Sequence, residues 1–141
     1  MLESIKDLGN LGTIIRSSLA FGADAIILYG DSVDIYNPKC VRASVGNLWK
    51  LPIFHFKSLD ELKDNFSDFE RVATLPRSNN LLKTYKAKLP TLVMFGSEAD
   101  GLSDELIDFS NDSVKIEMAK TVESLNLATS VSVILYQLFV D

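Results

Sequence analysis

Five short apolar segments recur along the chain and constrain its fold more than any other feature of the sequence. They are AIILY (25–29), LPIFHF (51–56), RVATL (71–75), TLVMF (91–95) and VKIEM (114–118). Each segment is nearly continuous in apolar character, which is typical of a strand that is buried on both faces of a sheet. Helix-like stretches separate these segments. The order of elements therefore predicts an α/β fold with a mostly parallel sheet flanked by helices.

Start and stop signals mark the stretches between the strands. Asn10 is a candidate N-cap and Gly22 a candidate stop for the first helix. Ser58 and Glu61 form a capping box, and Ser103 has the residue type of a cap. The predicted helices cover residues 11–21, about 59–66, the segment DELIDF after Ser103, and about 125–139.

Length and composition limit the classes of protein that the chain can belong to. Its 141 residues, of which 47% are apolar, fit a single domain over 1–141 with a sizeable core. One cysteine, Cys40, and one histidine, His55, are too few for a disulfide framework or a cysteine-based zinc cluster, so we expect no metal site. We expect a reduced, cytoplasmic setting. No signal peptide is visible, and the longest apolar run, VSVILYQLFV, is too short to cross a membrane.

The first candidate site is DLGNLGTIIRSSLAFG (7–22), because ligands of open α/β sheets bind at loops beside strand ends and helix starts. Arg16 lies off the apolar stripe of the predicted helix and is therefore available to solvent or to a ligand. Two plainer interpretations stay open for this stretch. Asn10 can be only a helix cap, and Arg16 can be an ordinary solvated side chain.

Two more candidate sites precede the last two predicted helices. In VMFGSEADGLSDEL (93–106), Gly96 and Gly101 permit tight turns around Glu98. The missing Gly-Lys-Ser or Gly-Lys-Thr excludes a phosphate loop, and the acidic loop suits a ribose or an amine. Ser124 and Asn126 stand where backbone N–H groups lack intrahelical partners and can bind a ligand. A plain strand–turn–helix connection, with Ser124 as a cap, is the alternative.

Together these stretches resemble the SpoU family of RNA ribose methyltransferases, which belongs to the SPOUT superfamily. Three motifs of the family occur in order over nearly the whole chain: DLGNLG with IIR (7–16), GSEADGL (96–102), and IEM followed by SLN (116–126). In addition, ASVGNLWKLPI (43–53) looks like the family's Ala-Ser-x-Gly helix that leads to a Leu-Pro strand. The chain departs from the pattern at Leu8, where the family usually has proline, and after Asn126, where many members continue with valine and serine. Many relatives also carry an additional N-terminal RNA-binding domain.

The resemblance implies that S-adenosylmethionine binds in a C-terminal trefoil knot of the α/β domain. The cofactor would be held mostly by backbone groups of three loops. The residues that the resemblance assigns to cofactor binding are Thr74, Leu75, Pro76, Gly96, Ile116, Met118 and Leu125.

The resemblance also implies methyl transfer to a ribose 2′-hydroxyl of rRNA or tRNA. A guanidinium group is a poor base, because its pKa exceeds about 12. We therefore expect Arg16 to grip a neighbouring phosphate and steer the hydroxyl. Asn10 and Glu98 are expected to hold Arg16 and the loops, and Ser124 and Asn126 to bond the target ribose or the second motif. Family members are dimers, so we expect a homodimer through the first and last helices.

The charge of the chain and two alternative functions bear on this interpretation. A net charge of −5 requires that RNA be bound by a local basic patch or by a separate domain. The candidate members of such a patch are Arg16, Lys39, Arg42, Lys50 and Arg77. A nucleotide-binding oxidoreductase would need Gly-x-Gly-x-x-Gly after the first strand, where GDSVDIYN stands. A catalytically inactive SPOUT-fold module that binds RNA or a partner is the other alternative, and the intact motif residues argue against it.

Overall fold

The computed structural model describes residues 1–119 and 121–140. The strands are β1 (Leu2–Glu3), β2 (Ile26–Tyr29), β3 (Ile53–Phe56), β4 (Glu70–Thr74), β5 (Thr91–Met94) and β6 (Asp112–Val114). The α-helices are α1 (Leu8–Ala20), α2 (Pro38–Ser44), α3 (Leu59–Phe66), α4 (Asp104–Phe109) and α5 (Leu127–Phe139). Two short 3-10 turns cover Asn47–Trp49 and Leu82–Thr84.

All of the strand pairs are parallel. One sheet has the order β1-β2-β3 and the other the order β5-β4-β6. A parallel bridge between Leu2 and Phe95 joins them, with the N–H of Glu3 donating to the carbonyl of Phe95 at 2.9 Å. The strands therefore follow one another as β3-β2-β1-β5-β4-β6. This arrangement confirms the predicted parallel α/β architecture.

The sheet separates two apolar cores, because successive side chains of a strand point to opposite faces. Ile26 and Leu28 of β2 belong to the core that α1, α2 and α5 cover. Ile27 and Tyr29 belong to the core that α3 and α4 cover. Burial on both faces explains why the strands read as continuous apolar runs. None of the helices described in the structure is both long and apolar enough to cross a membrane.

The capping box predicted at Ser58 is confirmed, as is the cap at Ser103. The cap predicted at Asn10 is wrong. Helix α1 starts earlier, and the side chain of Asp7 accepts the backbone N–H of Asn10 at 2.7 Å. The cap considered at Ser124 is also wrong, since Asn126 caps α5.

The strand predicted over 114–118 is misplaced, since it shares only Val114 with β6, which starts at Asp112. Strand β6 ends at Val114. The next residue, Lys115, does not pair with β4 but with the segment around Leu81. Its carbonyl accepts the N–H of Leu82, and its N–H donates to the carbonyl of Asn80. The chain after Lys115 therefore runs free of the sheet, and this change of partner opens space beside the strand ends. The two-residue strand β1 and helix α2 are too short to show a period in the sequence.

Helices α1 and α2 approach each other at Gly12. A Cβ atom at this position would lie 2.5 Å from the Cβ of Ala43 and 2.7 Å from the carbonyl oxygen of Cys40. Only glycine permits that distance between the helices. The close contact places α2 directly beside the first turns of α1.

The turn after α2 contains a strained residue that offers a stability test. Val45 is exposed and has φ 51°, a left-handed conformation that is rare for a β-branched side chain. Removing this strain would stabilise the fold by about 1–2 kcal/mol. Part of that gain is lost because glycine has more conformational entropy than valine in the unfolded chain. We expect Val45→Gly to raise the melting temperature by about 3 °C, as measured by thermal denaturation.

Lys50 provides the matched control for this substitution. Lys50 lies five residues after Val45, directly after the 3-10 turn, and has an ordinary φ of −106°. Lys50→Gly removes no strain and should lower the melting temperature slightly. A Val45→Gly protein that melts below the wild type would show that Val45 is not strained.

Candidate active site

A cavity of about 710 Å³ lies at the carboxyl ends of β4, β5 and β6. This edge is where open α/β sheets bind ligands. The chain contributes a loop after each of the three strands. All of the residues that the resemblance assigned to the cofactor line the cavity: Thr74, Leu75, Pro76, Gly96, Ile116, Met118 and Leu125.

The loop after β5 folds back tightly on itself. Ser97 and Gly101 exchange two backbone hydrogen bonds, of 3.0 and 3.1 Å. Gly96 lies against this closure, and a Cβ atom there would lie 1.9 Å from the carbonyl carbon of Gly101 and 2.0 Å from the N of Leu102. Gly96 is therefore required for the wall of the cavity to close. The wall also presents the carboxylate of Glu98 at its rim.

The third wall comes from the segment between β6 and α5, which has no regular structure over most of its described length. Leu125 is 38% exposed although it is apolar. Within the described part of the chain, the backbone N–H groups of Ile116, Met118 and Leu125 donate to no other residue. Such groups are ready to bind a ligand that enters the cavity.

A chain of hydrogen bonds at the rim of the cavity links the first turn of α1, the loop after β5 and the start of α5. Asn10 donates from Nδ2 to Oε1 of Glu98 at 3.1 Å. Asn126 donates from Nδ2 to Oδ1 of Asn10 at 2.9 Å. Oδ1 of Asn126 accepts the backbone N–H of Thr129 at 3.3 Å and so caps α5. We refer to these three side chains, Glu98, Asn10 and Asn126, as the amide relay.

The groups at the two ends of the amide relay determine which of its atoms donate and which accept. A carboxylate only accepts hydrogen bonds, so Asn10 turns its NH2 group towards Glu98. The backbone N–H of Thr129 can only donate, so Asn126 must turn its oxygen towards the helix. The two remaining groups, the oxygen of Asn10 and the NH2 of Asn126, then face each other as acceptor and donor. The relay therefore fixes α1, the loop after β5 and the start of α5 in one relative arrangement.

Asp7 holds the beginning of the relay in place. The hydrogen bond from the backbone N–H of Asn10, assisted by Lys39 at 3.7 Å, holds the pKa of the Asp7 carboxyl below its usual range. A depressed pKa means that the cap is present at neutral pH and is lost only as the pH falls through the lowered value. Sequence reasoning had assigned no role to Asp7, although aspartate is as common an N-cap as asparagine.

The structure leaves Arg16 apart from the amide relay. Arg16 is exposed on α1, six residues beyond Asn10, which corresponds to about 9 Å along the helix axis. It forms no hydrogen bond or ion pair with any residue in the described ranges. Asn10 and Glu98 contact each other and not Arg16, so the prediction that they hold Arg16 stays a prediction. Ser124 lines the cavity but takes no part in the relay.

Two further residues of α5 belong to the site and were not found from the sequence. Ser130 and Ile134 line the cavity from the helix that follows the amide relay. Ser132 donates from Oγ to Oγ of Ser17 at 2.8 Å and so ties α5 to α1. The apolar period of α5 marks Ile134 only as a core residue and gives no signal for Ser130. No cluster of three potential metal ligands occurs among the residues that the structure describes.

A parallel α/β domain with a large cavity at its strand ends, closed by a glycine-dependent loop, is the architecture of a nucleotide-type cofactor-binding domain. The family model "SpoU rRNA Methylase family" matches residues 1–136. The chain belongs to this family of RNA methyltransferases, which confirms the family predicted from the motifs.

Individual relatives agree with this assignment. An uncharacterised tRNA/rRNA methyltransferase of Synechocystis is 40% identical over 97% of this chain and 51% of its own length. A 23S rRNA uridine 2′-O-methyltransferase of Streptomyces viridochromogenes is 35% identical over 92% of this chain and 47% of its own length. The crystal structure of an AdoMet-bound rRNA methyltransferase from Sinorhizobium meliloti superposes with a TM-score of 0.90 at 32% identity, covering 96% of this chain and 53% of that one. The chain thus spans about half the length of these relatives.

Proposed function

We propose that this chain is the catalytic domain of an S-adenosylmethionine-dependent methyltransferase that acts on a ribose 2′-hydroxyl of rRNA or tRNA. The amide relay is the observation that carries the proposal. It joins the three segments that bear the family's motifs, at the rim of a cavity large enough for a nucleoside cofactor. Family membership supports the reaction class, and the names of the relatives support RNA as the substrate.

The atoms that line the cavity are suited to binding the cofactor. Its walls offer backbone N–H groups at Ile116, Met118 and Leu125 that donate to no residue in the described ranges. Thr74, which lines the cavity, donates its hydroxyl to the carbonyl of Met94 at 2.9 Å and so ties the end of β4 to β5. The absence of a side chain at Gly96 lets the loop after β5 close into a wall of the cavity. When bound, the cofactor would supply a methyl group on a positively charged sulfur, which an oxygen nucleophile can attack.

The side chains of the chain itself would position the RNA. A ribose hydroxyl attacks efficiently only when it is correctly placed and its proton is removed or shared. Arg16, exposed and without a partner among the described residues, is available to grip the phosphate next to the target ribose. The amide relay holds the loops of the cavity and α1 in register, so that this arginine and the cofactor keep a constant separation. Ser124, on the cavity wall, is in position to bond the ribose.

Asn126 allows the cap and the relay to be tested separately. Asn126→Asp keeps an oxygen that accepts the N–H of Thr129 but loses the donor to Asn10, whereas Asn126→Ala loses both. We expect the aspartate variant to melt near the wild type and the alanine variant to lose about 1 kcal/mol of stability. Both should transfer methyl groups about 10- to 100-fold more slowly, because the loops are misplaced. Thermal denaturation and initial rates check this, and a fully active Asn126→Asp protein would rule the relay out as a positioning device.

We further propose that the chain forms a homodimer through α1 and α5. Two apolar residues of α5, Val133 (39%) and Tyr136 (57%), are exposed in the single chain, as is Val140 (39%), which follows the helix. The ring of Tyr136 packs edge-on against Phe21 at the end of α1, with ring centroids 5.7 Å apart. An apolar patch that joins two helices is the kind of surface that a twofold interface covers.

The same proposal includes three features of the domain as a whole. We propose that residues 1–141 fold as a single domain, that the segment leading to α5 is threaded as a trefoil knot, and that the protein works in the cytoplasm. The pairing of Lys115 with Leu81 supports the knot, because it places the start of that segment against a preceding loop. The free, buried thiol of Cys40 supports a reducing compartment.

Calorimetric titration with S-adenosylmethionine and, separately, with NAD tests the cofactor. We expect saturable binding of the first at one site per chain and no binding of the second. Incubation of the protein with methyl-labelled cofactor and with bulk rRNA or tRNA then tests the reaction. Label in alkali-resistant dinucleotides is expected, because a 2′-O-methyl group blocks cleavage of the adjacent phosphodiester. Cofactor binding without transfer to either RNA would favour the inactive module, and binding of NAD would favour the oxidoreductase.

A further inference from the structure

An aromatic pair on the surface takes no part in the site described above. Tyr36 is 59% exposed and Trp49 is 68% exposed, and their rings stack with centroids 5.7 Å apart and planes 24° apart. The pair lies outside the apolar cores. Large aromatic groups that are exposed together mark a binding surface more often than an isolated apolar residue does. We refer to Tyr36 and Trp49 as the aromatic platform.

Both rings sit on short, well-anchored turns. The backbone N–H of Tyr36 donates to Oδ1 of Asp34 at 2.9 Å, and the next residue, Asn37, caps α2. Trp49 belongs to a 3-10 turn that the N–H of Lys50 closes onto the carbonyl of Asn47. The platform is therefore preformed, and a ligand that stacks on it would not have to order it first.

The turns and the helix that carry the platform contain more cations than anions, although the chain as a whole has a net charge of −5. Residues 34–50 contain one carboxylate, that of Asp34 beside Tyr36. The cations of this segment are Lys39, Arg42 and Lys50. Arg42 and Lys50 are exposed, and neither forms an ion pair with a residue that the structure describes. The platform thus lies in a segment that attracts anions.

The platform lies on the same side of the molecule as the beginning of the amide relay. Helix α2 connects the two turns that carry the rings, and it packs against α1 at Gly12. Lys39, in the first turn of α2, reaches Asp7, the cap of α1. A strand of RNA whose target ribose lies near α1 can therefore continue along α2 towards the platform.

We propose that the aromatic platform stacks an unpaired base of the RNA substrate beside the target nucleotide, while Arg42 and Lys50 contact its phosphates. The proposal rests on the proposed function only in taking RNA as the substrate. Bases stack on exposed aromatic rings regardless of sequence, and neighbouring cations hold the backbone. A second copy of this chain is a poor occupant, because a twofold contact would bring the same cations of the two copies together.

Trp49 is the single tryptophan of the chain, so its fluorescence reports on the platform directly. The test titrates the full chain with oligouridylate and oligoadenylate of roughly 12 nucleotides at low salt, a length that fits single-strand binding sites. We expect saturable quenching of the emission that weakens as salt is added. Tyr36→Ala and Trp49→Ala should lower RNA affinity, measured by filter binding, about 5- to 150-fold, which is the effect of losing one stacked base.

Phe54→Ala is the matched control, since Phe54 is a comparably exposed aromatic residue on β3 and is not a member of the stacked pair. It should bind RNA like the wild type. S-adenosylmethionine affinity should be unchanged in all three variants, which separates loss of stacking from loss of the fold.

Three results would overturn the platform. The first is RNA that binds without changing the emission of Trp49, or binds the Trp49→Ala protein as tightly as the wild type. The second is no binding of either oligonucleotide at low salt. The third is emission that shifts with protein concentration in the absence of RNA, which would make the surface an interface between copies. Quenching and stacking by a chain that transfers no methyl group would support the platform while contradicting the proposed reaction.

Discussion

Replacement of Arg16 by alanine should slow methyl transfer to RNA by at least about 100-fold and leave S-adenosylmethionine affinity unchanged. Misplacement of a reacting group by about 1 Å typically costs that much. The side chain is exposed on α1 and absent from the cofactor cavity, so its removal disturbs neither the core nor the cavity wall. Single-turnover rates with saturating RNA and calorimetry with the cofactor measure the two effects.

Arg16→Lys and Lys63→Ala complete this experiment. Lysine keeps the positive charge but loses the planar fork that grips two phosphate oxygens, so we expect a rate between those of the wild type and Arg16→Ala. Lys63 is an exposed cation on α3, on the other face of the sheet, and its removal should not change the rate. If Arg16→Ala transfers methyl groups at the wild-type rate, the phosphate-gripping role is wrong. If Arg16→Ala is slow and also binds S-adenosylmethionine weakly, Arg16 instead supports the cofactor cavity.

Gly96→Ala should abolish detectable cofactor binding and destabilise the fold by about 3 kcal/mol or more. A Cβ atom at this position would lie 1.9 Å from the carbonyl carbon of Gly101, which is backbone and cannot rotate away. The loop from Ser97 to Gly101 must therefore open, and the wall that carries Glu98 moves with it. Overpacking in a rigid environment commonly costs 1–3 kcal/mol, and a backbone clash lies at or beyond the upper end.

Alanine substitutions at two other glycines distinguish the steric clash at Gly96 from the ordinary strain of a positive φ. Gly101 and Gly22 have φ of 73° and 78°, and an added Cβ would meet nothing within 4 Å at either. Alanine there should cost only about 1–2 kcal/mol of backbone strain. We expect Gly22→Ala, which is remote from the cavity, to bind the cofactor normally. Equal cofactor affinities for Gly96→Ala and Gly22→Ala would show that the loop after β5 does not form the binding wall.

Local signals in the sequence predicted most of the secondary structure. The capping box at Ser58 and the cap at Ser103 were correct because capping depends on residues three positions apart. The start of α1 was misplaced because Asp7 and Asn10 are equally good caps, and only the contact between Asn10 and Glu98 decides between them. Strand β6 was predicted at the wrong position because the pairing of Lys115 with Leu81 is a tertiary contact.

The sequence by itself determined the parallel α/β class, the order of the longer elements and the residues that carry the family's motifs. Apolar periodicity and helix caps act over a few residues, so they can be read along the chain. Only the tertiary structure decided which of these residues meet. Asn10 contacts Glu98 and Asn126 across 88 and 116 positions of the chain, and Tyr36 stacks on Trp49 across a whole helix. Such contacts depend on how helices pack against the sheet, and no short-range pattern encodes that packing.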